Sequence, residues 1–222
     1  MTPMQVTEDV LYTYKQLGFE EVFTSQLPVT EPWEAVTDYS WKAREEIERP
    51  NADRIVEVFG KGPYLDYGCG PDAILVRLLR DRGVMVHGID PILKAQWECL
   101  QPHWDNGPEQ FVGTFPVIIC REVFEHVPLR NILPTIQSWE RFAPQFVYIT
   151  TRFSSEHDIW TVETSDTLDP THITIASKDF YRMLLVLCGY KRRADLEERM
   201  DHMGKGRVLV YETTKKYWRD RV

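Results

Sequence analysis

A carboxylate and two glycines lie close together in the stretch LDYGCGP, as Asp66, Gly68 and Gly70. A glycine can adopt a positive φ angle and lets a ligand approach the backbone closely, because it has no side chain. The exposed N–H groups of a helix that starts after such a turn favour a polar or anionic ligand group. The stretch therefore predicts a ligand-binding turn, and a plain turn between a strand and a helix is the alternative.

A second carboxylate, Asp90, follows about 20 residues after the glycines, in the stretch HGIDP. A carboxylate at the end of a strand can accept two hydrogen bonds from a ribose diol, as both NAD and S-adenosylmethionine require. The spacing Gly68-x-Gly70-x-x-Ala73 also matches the dinucleotide fingerprint, so these two features leave both cofactors open. Asp66 favours S-adenosylmethionine, because a carboxylate there would repel a pyrophosphate and attract the ammonium of a methionine group.

Two carboxylates and two imidazoles form a second candidate site, made of Glu122, Glu125, His126 and His172. In a helical turn, the first three would share one face. His172 follows the next predicted strand, and the loops after parallel strands meet at one edge of a sheet. The four residues are compatible with a Mg²⁺, Mn²⁺ or Zn²⁺ site. They are equally compatible with a metal-free general base at His126 or His172, or with a structural role at a helix end.

Alternating strand and helix patterns predict the elements that position these residues. Five apolar runs indicate strands, at 63–68, 84–90, 115–120, 145–151 and 207–215, the last paired with residues near 190–196. Helices are predicted at 51–59, 73–83, 92–100, 129–142 and 177–190, the last with Ser177 as N-cap and Phe180, Met183, Leu184 and Leu187 on one face. This alternation is typical of a parallel sheet with helices on both faces. The final two strands, with no helix predicted between them, should form an antiparallel hairpin, and a further strand is expected near 110–112.

Composition narrows the class of partner. The 222 residues include 34 acidic and 26 basic side chains, for a net charge of −8, which disfavours general attraction to nucleic acid. The four cysteines form no CxxC pair, and the first 25 residues lack a hydrophobic signal stretch. We therefore expect a cytoplasmic protein with a small-molecule partner and no membrane span.

Four stretches together resemble the class I S-adenosylmethionine-dependent methyltransferases: LDYGCGP, GIDP, VIICREVFEHV and DPTHITIASKDFYRMLLVLCGY. The resemblance covers roughly residues 62–215, and the pattern E-x-x-E-H-V with a later His is most similar to the ubiquinone-biosynthesis type of O-methyltransferase. It implies that Asp66, Gly68, Cys69 and Gly70 hold the methionine end of the cofactor, that Asp90 and Pro91 hold the ribose, and that the Arg121 backbone lies beside the sulfonium. Asp72 and Pro116 depart from the family pattern, and the adenine-contacting segment is not located.

The resemblance implies an α/β fold: a Rossmann-like, doubly wound, mostly parallel sheet with a C-terminal antiparallel hairpin. We expect an N-terminal helical cap or lid at residues 1–60 and the methyltransferase domain at 61–222. The expected function is methyl transfer to a small-molecule hydroxyl with base or metal assistance. One alternative is RNA 2′-O-methylation with a Glu/Glu/His/His metal site, as in the small-RNA methyltransferases of plants. Another is a catalytically inactive subunit that binds the cofactor.

Overall fold

The computed structural model describes residues 41–70, 72–90, 100–101, 115–154, 172 and 174–215. The strands are β1 (Tyr64–Tyr67), β2 (Val86–Ile89), β3 (Leu100–Gln101), β4 (Val117–Arg121), β5 (Phe146–Thr150), β6 (Tyr190–Arg192) and β7 (Val208–Thr213). The α-helices are α1 (Trp41–Phe59), α2 (Ile74–Asp81), α3 (Leu129–Ser138), α4 (Lys178–Leu187) and α5 (Ala194–Met200). Two 3-10 turns, Phe124–His126 and Trp139–Phe142, follow β4 and α3.

In this part of the chain, seven strands form one sheet in the order β3-β2-β1-β4-β5-β7-β6. Strands β1 to β5 run parallel, whereas β7 is antiparallel to both β5 and β6. The predicted Rossmann-like, mostly parallel sheet with an antiparallel hairpin at its edge is confirmed. Because β1 lies between β2 and β4, the strand order reverses there, and ligands of such sheets bind outside the carboxyl ends of the strands at that point.

Helices cover both faces of the sheet, as the alternation of side chains along β1 requires. Tyr64 and Asp66 point to one face, and Leu65 and Tyr67 point to the other. The apolar side of α1, α2 and α5 packs with Tyr64, while α3 and α4 pack with Leu65 and Tyr67. Asp66 is therefore a carboxylate on the face of the sheet that packs against the helix layer containing α1.

Helix α1 begins at Trp41, and not near residue 51 as predicted. Pro50 suits the first turn of a helix by its residue type, but it lies inside this one. A proline in a helix leaves carbonyl oxygens without their usual donors. The next residue, Asn51, is buried, and its Nδ2 donates a hydrogen bond to the Ile47 carbonyl at 3.2 Å.

Three other predictions about the elements need correction. A short helix, α5, lies between the hairpin strands, where none was predicted. Strand β3 begins at Leu100, the last residue of the predicted 92–100 helix, whereas the rest of that helix and the strand expected near 110–112 lie outside the described residues. Helix α4 has Ser177 as its N-cap, as predicted, and Leu184 of the predicted apolar face is buried, but the other buried residues are Tyr181 and Leu185. Met183 and Leu187 of the predicted apolar face are 53% and 69% exposed.

The division into a cap at 1–60 and a domain at 61–222 stays a prediction, and residues 1–40 lie outside the described residues. Ala52 and Ile55 of α1 are fully buried in the core shared with α2. Within the described ranges, no helix combines the length and the apolar character that crossing a membrane requires.

Candidate functional site

The glycine turn after β1 has the backbone conformation that its sequence predicts. Gly68 and Gly70 have φ angles of 84° and 74°, which residues with a side chain rarely adopt. The N–H groups of Gly68 and Cys69 both donate to the Ile89 carbonyl, at 2.8 and 3.2 Å, and so attach the turn to the end of β2. A Cβ placed on Gly70 would meet no described atom within 4 Å, so the backbone faces open space there.

Asp90, the carboxylate predicted to bind a ribose, contacts the same turn. Its Oδ2 accepts a hydrogen bond from the Gly70 N–H at 2.8 Å, and the residue is buried. The two predicted cofactor segments are therefore connected directly, across 20 residues of sequence. Sequence reasoning missed this contact, which gives Asp90 a role in shaping the turn besides its predicted role toward a ligand. Pro91 lies outside the described residues.

Asp66 is only 3% exposed, and its charge environment is mixed. Burial raises its pKa from 3.8 to about 8, the nearby negative charges of Glu48 and Asp90 add to that rise, and the Arg121 guanidinium opposes it. Most Asp66 carboxyls are therefore neutral at pH 7. An approaching ammonium would reverse this balance, because a cation stabilises the ionised form.

Arg121 lies at the end of β4, where the resemblance placed only its backbone beside the cofactor. Its side chain is 11% exposed and forms an ion pair with Glu48 of α1 through Nη1, and its positive charge also acts on the buried Tyr148 hydroxyl. The Nε of Arg121 is buried and has no hydrogen-bond partner among the described residues. Glu48 and Tyr148 were not predicted. No local signal identifies them, since Glu48 and Arg121 are 73 residues apart in sequence.

The loop after β4 holds the second candidate site in place through several hydrogen bonds. Glu122 has a φ of 51°, and its N–H donates to the Thr150 carbonyl at 2.7 Å. Glu125 is fully buried, and its Oε2 accepts a hydrogen bond from the Thr151 hydroxyl at 2.7 Å. The Glu125 carbonyl accepts from the Thr174 N–H at 3.0 Å, which attaches the segment around His172 to this loop.

Three of the four predicted residues of this site converge. The potential ligand atoms of Glu125, His126 and His172 all lie within 4.8 Å of one another. The imidazole rings of His126 and His172 are 4.9 Å apart between centroids. Glu122 does not belong to this group, and the expected shared helical face is wrong: only Phe124–His126 is helical, and Glu122 precedes it with a left-handed backbone.

Glu122 still acts on the group through its charge. Burial and the neighbouring charge of Glu122 raise the pKa of Glu125 well above its usual value. Burial also disfavours the charge of Glu122, but the Glu125 carboxyl and the Thr150 hydroxyl lower its pKa overall. Of the two carboxyls, Glu125 is therefore the weaker acid. The Oε1 of Glu125 is buried and accepts no hydrogen bond from the described residues. This oxygen is therefore available to bind a ligand.

The two departures from the family pattern have different surroundings. Asp72, just before α2, has a buried Oδ2 with no hydrogen-bond partner among the described residues. The Pro116 carbonyl accepts hydrogen bonds from the N–H groups of Gln145 and Phe146, both at 2.8 Å. Pro116 therefore anchors the start of β5. For Asp72, by contrast, nothing in the structure explains the acidic side chain.

Comparison with known proteins decides the class. A family model described as a methyltransferase domain matches residues 43–191, which is more than half of the chain. The chain belongs to this family. The methyltransferase is of class I and depends on S-adenosylmethionine, the methyl donor that its glycine turn and acids predict. No curated protein sequence matches it closely enough to count as a relative.

Solved structures with the same fold are distant in sequence. An S-adenosylmethionine-dependent methyltransferase from Archaeoglobus fulgidus is 11% identical, covers 76% of this chain and 94% of its own, and has a TM-score of 0.56. The 1,6-didemethyltoxoflavin-N1-methyltransferase of Burkholderia thailandensis, solved with 1,6-didemethyltoxoflavin and S-adenosylhomocysteine, is 12% identical over 88% and 90% of the two chains, with a TM-score of 0.56. The cyclase SpnF is 14% identical over 79% and 84%, with a TM-score of 0.54. These likenesses show the fold alone.

Proposed function

We propose that this methyltransferase transfers the methyl group of S-adenosylmethionine to a hydroxyl oxygen of a small-molecule acceptor. The observation that carries the proposal is the convergence of Glu125, His126 and His172, with ligand atoms within 4.8 Å of one another. A hydroxyl becomes a good nucleophile only as it loses its proton, and a carboxylate beside two imidazoles can promote that loss. The pattern Glu122-x-x-Glu125-His126-Val127 supports the ubiquinone-biosynthesis type as the subclass. A cytoplasmic location remains a prediction.

At the cofactor end, Asp66 binds the ammonium of the methionine group in this proposal, and Asp90 binds the ribose. The buried position of Asp66 supports its role, because a cation is attracted strongly to a carboxylate that water does not screen. The open space above Gly70 supports close approach of the methionine end to the backbone of Gly68, Cys69 and Gly70.

At the acceptor end, the residues fit a divalent cation. One carboxylate oxygen and two imidazole nitrogens form a mixed donor set, and Glu125 offers an oxygen without a full hydrogen bond. A cation bound by Glu125, His126 and His172 would hold the acceptor oxygen and lower the pKa of its hydroxyl. Without a cation, one of the two histidines accepts the proton directly.

In the transfer step, the acceptor oxygen forms a bond to the methyl carbon while the carbon–sulfur bond breaks. The sulfur keeps the electron pair and leaves as S-adenosylhomocysteine, and the hydroxyl proton moves to an imidazole nitrogen of His126 or His172. Holding the two reactants in line contributes on the order of 7 kcal/mol or more to lowering the barrier. The Thr151 hydroxyl orients the Glu125 carboxyl beside these imidazoles.

The test starts from a panel of phenols, sugars and carboxylates, with formation of S-adenosylhomocysteine as the readout. On the best acceptor, His126→Ala and His172→Ala are compared with His202→Ala, an exposed histidine near the end of α5. Both site variants should lose at least about 100-fold in kcat, while their affinity for S-adenosylhomocysteine stays unchanged. Turnover equal to that of wild type in both site variants would refute the acceptor-side role.

Chelation separates the two forms of the proposal. Loss of turnover with EDTA and recovery with Mg²⁺, Mn²⁺ or Zn²⁺ identifies the metal form, and indifference to EDTA identifies the metal-free base. A short RNA with a free 2′-hydroxyl belongs in the acceptor panel as the competing substrate class. The likeness to a cyclase shows that this fold also serves other reactions. Binding of S-adenosylhomocysteine without turnover on any acceptor would therefore favour a cofactor-binding protein that is not a methyltransferase enzyme.

A further inference from the structure

Helix α1 contacts the end of β4 through a half-buried ion pair. Glu48 contacts the Arg121 guanidinium, and the two side chains are only 22% and 11% exposed. Other ion pairs of α1 lie at the surface: Glu45 pairs with Arg49 and Arg77, whose side chains are 57% and 46% exposed. Charges that water screens poorly interact strongly. Among these ion pairs of α1, the Glu48–Arg121 pair therefore has the strongest electrostatic effect on neighbouring charged groups.

The register of the sheet places Arg121 beside Asp66. Asp66 of β1 pairs with Ile119 of β4, and Ile119 pairs with Tyr148 of β5. Arg121 is two residues beyond Ile119, so its side chain emerges on the same face, one step closer to the carboxyl edge. The charged groups that act on Asp66 are Arg121, Glu48 and Asp90. A guanidinium beside a buried carboxylate would ordinarily pair with it.

We propose that Glu48 is a positioning residue for the cofactor: it holds the Arg121 guanidinium on α1 and so keeps Asp66 available for the ammonium of S-adenosylmethionine. Arg121 and the cofactor ammonium are both cations, and they compete for the same carboxylate. Glu48 gives the guanidinium a different anionic partner. The buried Nε of Arg121, which has no described hydrogen-bond partner, shows that the guanidinium is not fully satisfied where it lies. This inference rests on the proposed role of Asp66.

Glu48→Gln removes the anionic partner of Arg121 and leaves the size of the side chain nearly unchanged. Arg121 then pairs with Asp66, and we expect affinity for S-adenosylhomocysteine to fall on the order of tenfold. Affinity for 5′-methylthioadenosine, which has the same nucleoside and thioether but no amino-acid group, should change less than about twofold. Looser packing of α1 would instead weaken the binding of both ligands.

Glu45→Gln is the matched control. Glu45 lies on the same helix and the chemical change is the same, but its partners Arg49 and Arg77 are exposed and are not among the charges that act on Asp66. Both ligands should bind this variant as they bind wild type. The double variant Glu48→Gln with Arg121→Met removes the competing cation, and its affinity for S-adenosylhomocysteine should recover most of the lost tenfold.

Calorimetry on these variants and on Asp66→Asn decides the question. Weaker S-adenosylhomocysteine binding in Asp66→Asn, with unchanged methylthioadenosine binding, supports the assignment on which the inference rests. If Asp66→Asn binds S-adenosylhomocysteine more weakly and Glu48→Gln does not, the inference about Glu48 fails while the role of Asp66 stands. If Asp66→Asn binds S-adenosylhomocysteine as wild type does, the proposed role of Asp66 fails, and the inference about Glu48 fails with it. If Glu48→Gln does not fold, the single variant Arg121→Met tests the inference instead. Retained affinity for S-adenosylhomocysteine would support competition between Arg121 and the cofactor ammonium for Asp66. A large loss of affinity would mean that Arg121 binds the cofactor itself.

Discussion

The ionisation of Asp66 makes cofactor affinity depend on pH. Burial, the largest cause, raises the pKa of this carboxyl to about 8, so below that pH the site must lose a proton before it binds an ammonium. Affinity for S-adenosylhomocysteine should therefore rise with pH, by up to about tenfold per unit between pH 6 and 7.5. Above pH 8 the carboxyl is already ionised, so the affinity should level off.

Calorimetry in buffers with different ionisation enthalpies measures this proton release directly. Wild type should release close to one proton on binding at pH 6.5, and Asp66→Asn should release none and show a flat affinity profile. Release of the same number of protons by both proteins would place the titration on another group. For stability the sign is opposite. An acid with a raised folded-state pKa favours the folded state below pH 4, and this contribution is lost as pH rises toward 8.

Glu122 should set the acid side of the turnover profile through its neighbour. Its negative charge is the second cause, after burial, of the raised pKa of Glu125. Glu122→Gln removes that charge, so Glu125 ionises at lower pH, and the acid limb of kcat/KM against pH should move to lower pH. Glu198→Gln, at an exposed site in α5, is the control. An unmoved acid limb in Glu122→Gln would mean that Glu125 does not have to ionise for turnover.

Among the elements, those with a strong apolar pattern were predicted correctly, and those shaped by distant contacts were not. Strands β1, β2, β5 and β7 lie within the predicted apolar runs, and β4 extends only one residue beyond its run, to Arg121. The first half of α1 was missed because it is mostly polar and because Pro50 imitates a helix start. In the site, the glycine turn and the convergence of Glu125, His126 and His172 followed from strand order. Glu48 and Tyr148 could not be predicted, because only the folded sheet brings them to Arg121.

Helix α4 allows a direct test of its apolar face, which was predicted wrongly at Met183 and Leu187. Leu185 is fully buried, whereas Leu187, two residues later, is 69% exposed. Leu185→Ala should lower the free energy of unfolding by about 2–5 kcal/mol, because it leaves a cavity in a packed core. Leu187→Ala should change it by less than about 0.5 kcal/mol. Urea unfolding measures both, and equal costs for the two changes would contradict the orientation of α4.

For the whole molecule, the sheet order explains why both candidate sites share one edge. The ends of β1 and β2 carry the glycine turn and Asp90, and the ends of β4 and β5 carry the Glu125 loop and Thr151. Since these four strands are parallel neighbours, their carboxyl ends lie together. A donor bound at one pair of strands is thus adjacent to an acceptor bound at the other.

Ligand binding at this edge should stabilise the entire fold, because the turn, Asp90, Asp66 and α1 are connected through it. At a concentration 100 times its Kd, S-adenosylhomocysteine should add about 2.7 kcal/mol to the free energy of unfolding. For a chain of this length that corresponds to a rise in Tm of about 5–10 °C. NAD at the same concentration should leave Tm unchanged, because its pyrophosphate would lie against Asp66. A rise in Tm with NAD, and none with S-adenosylhomocysteine, would overturn the assignment of the acid before the glycines, and with it the proposed positions of the methionine and ribose ends of the cofactor.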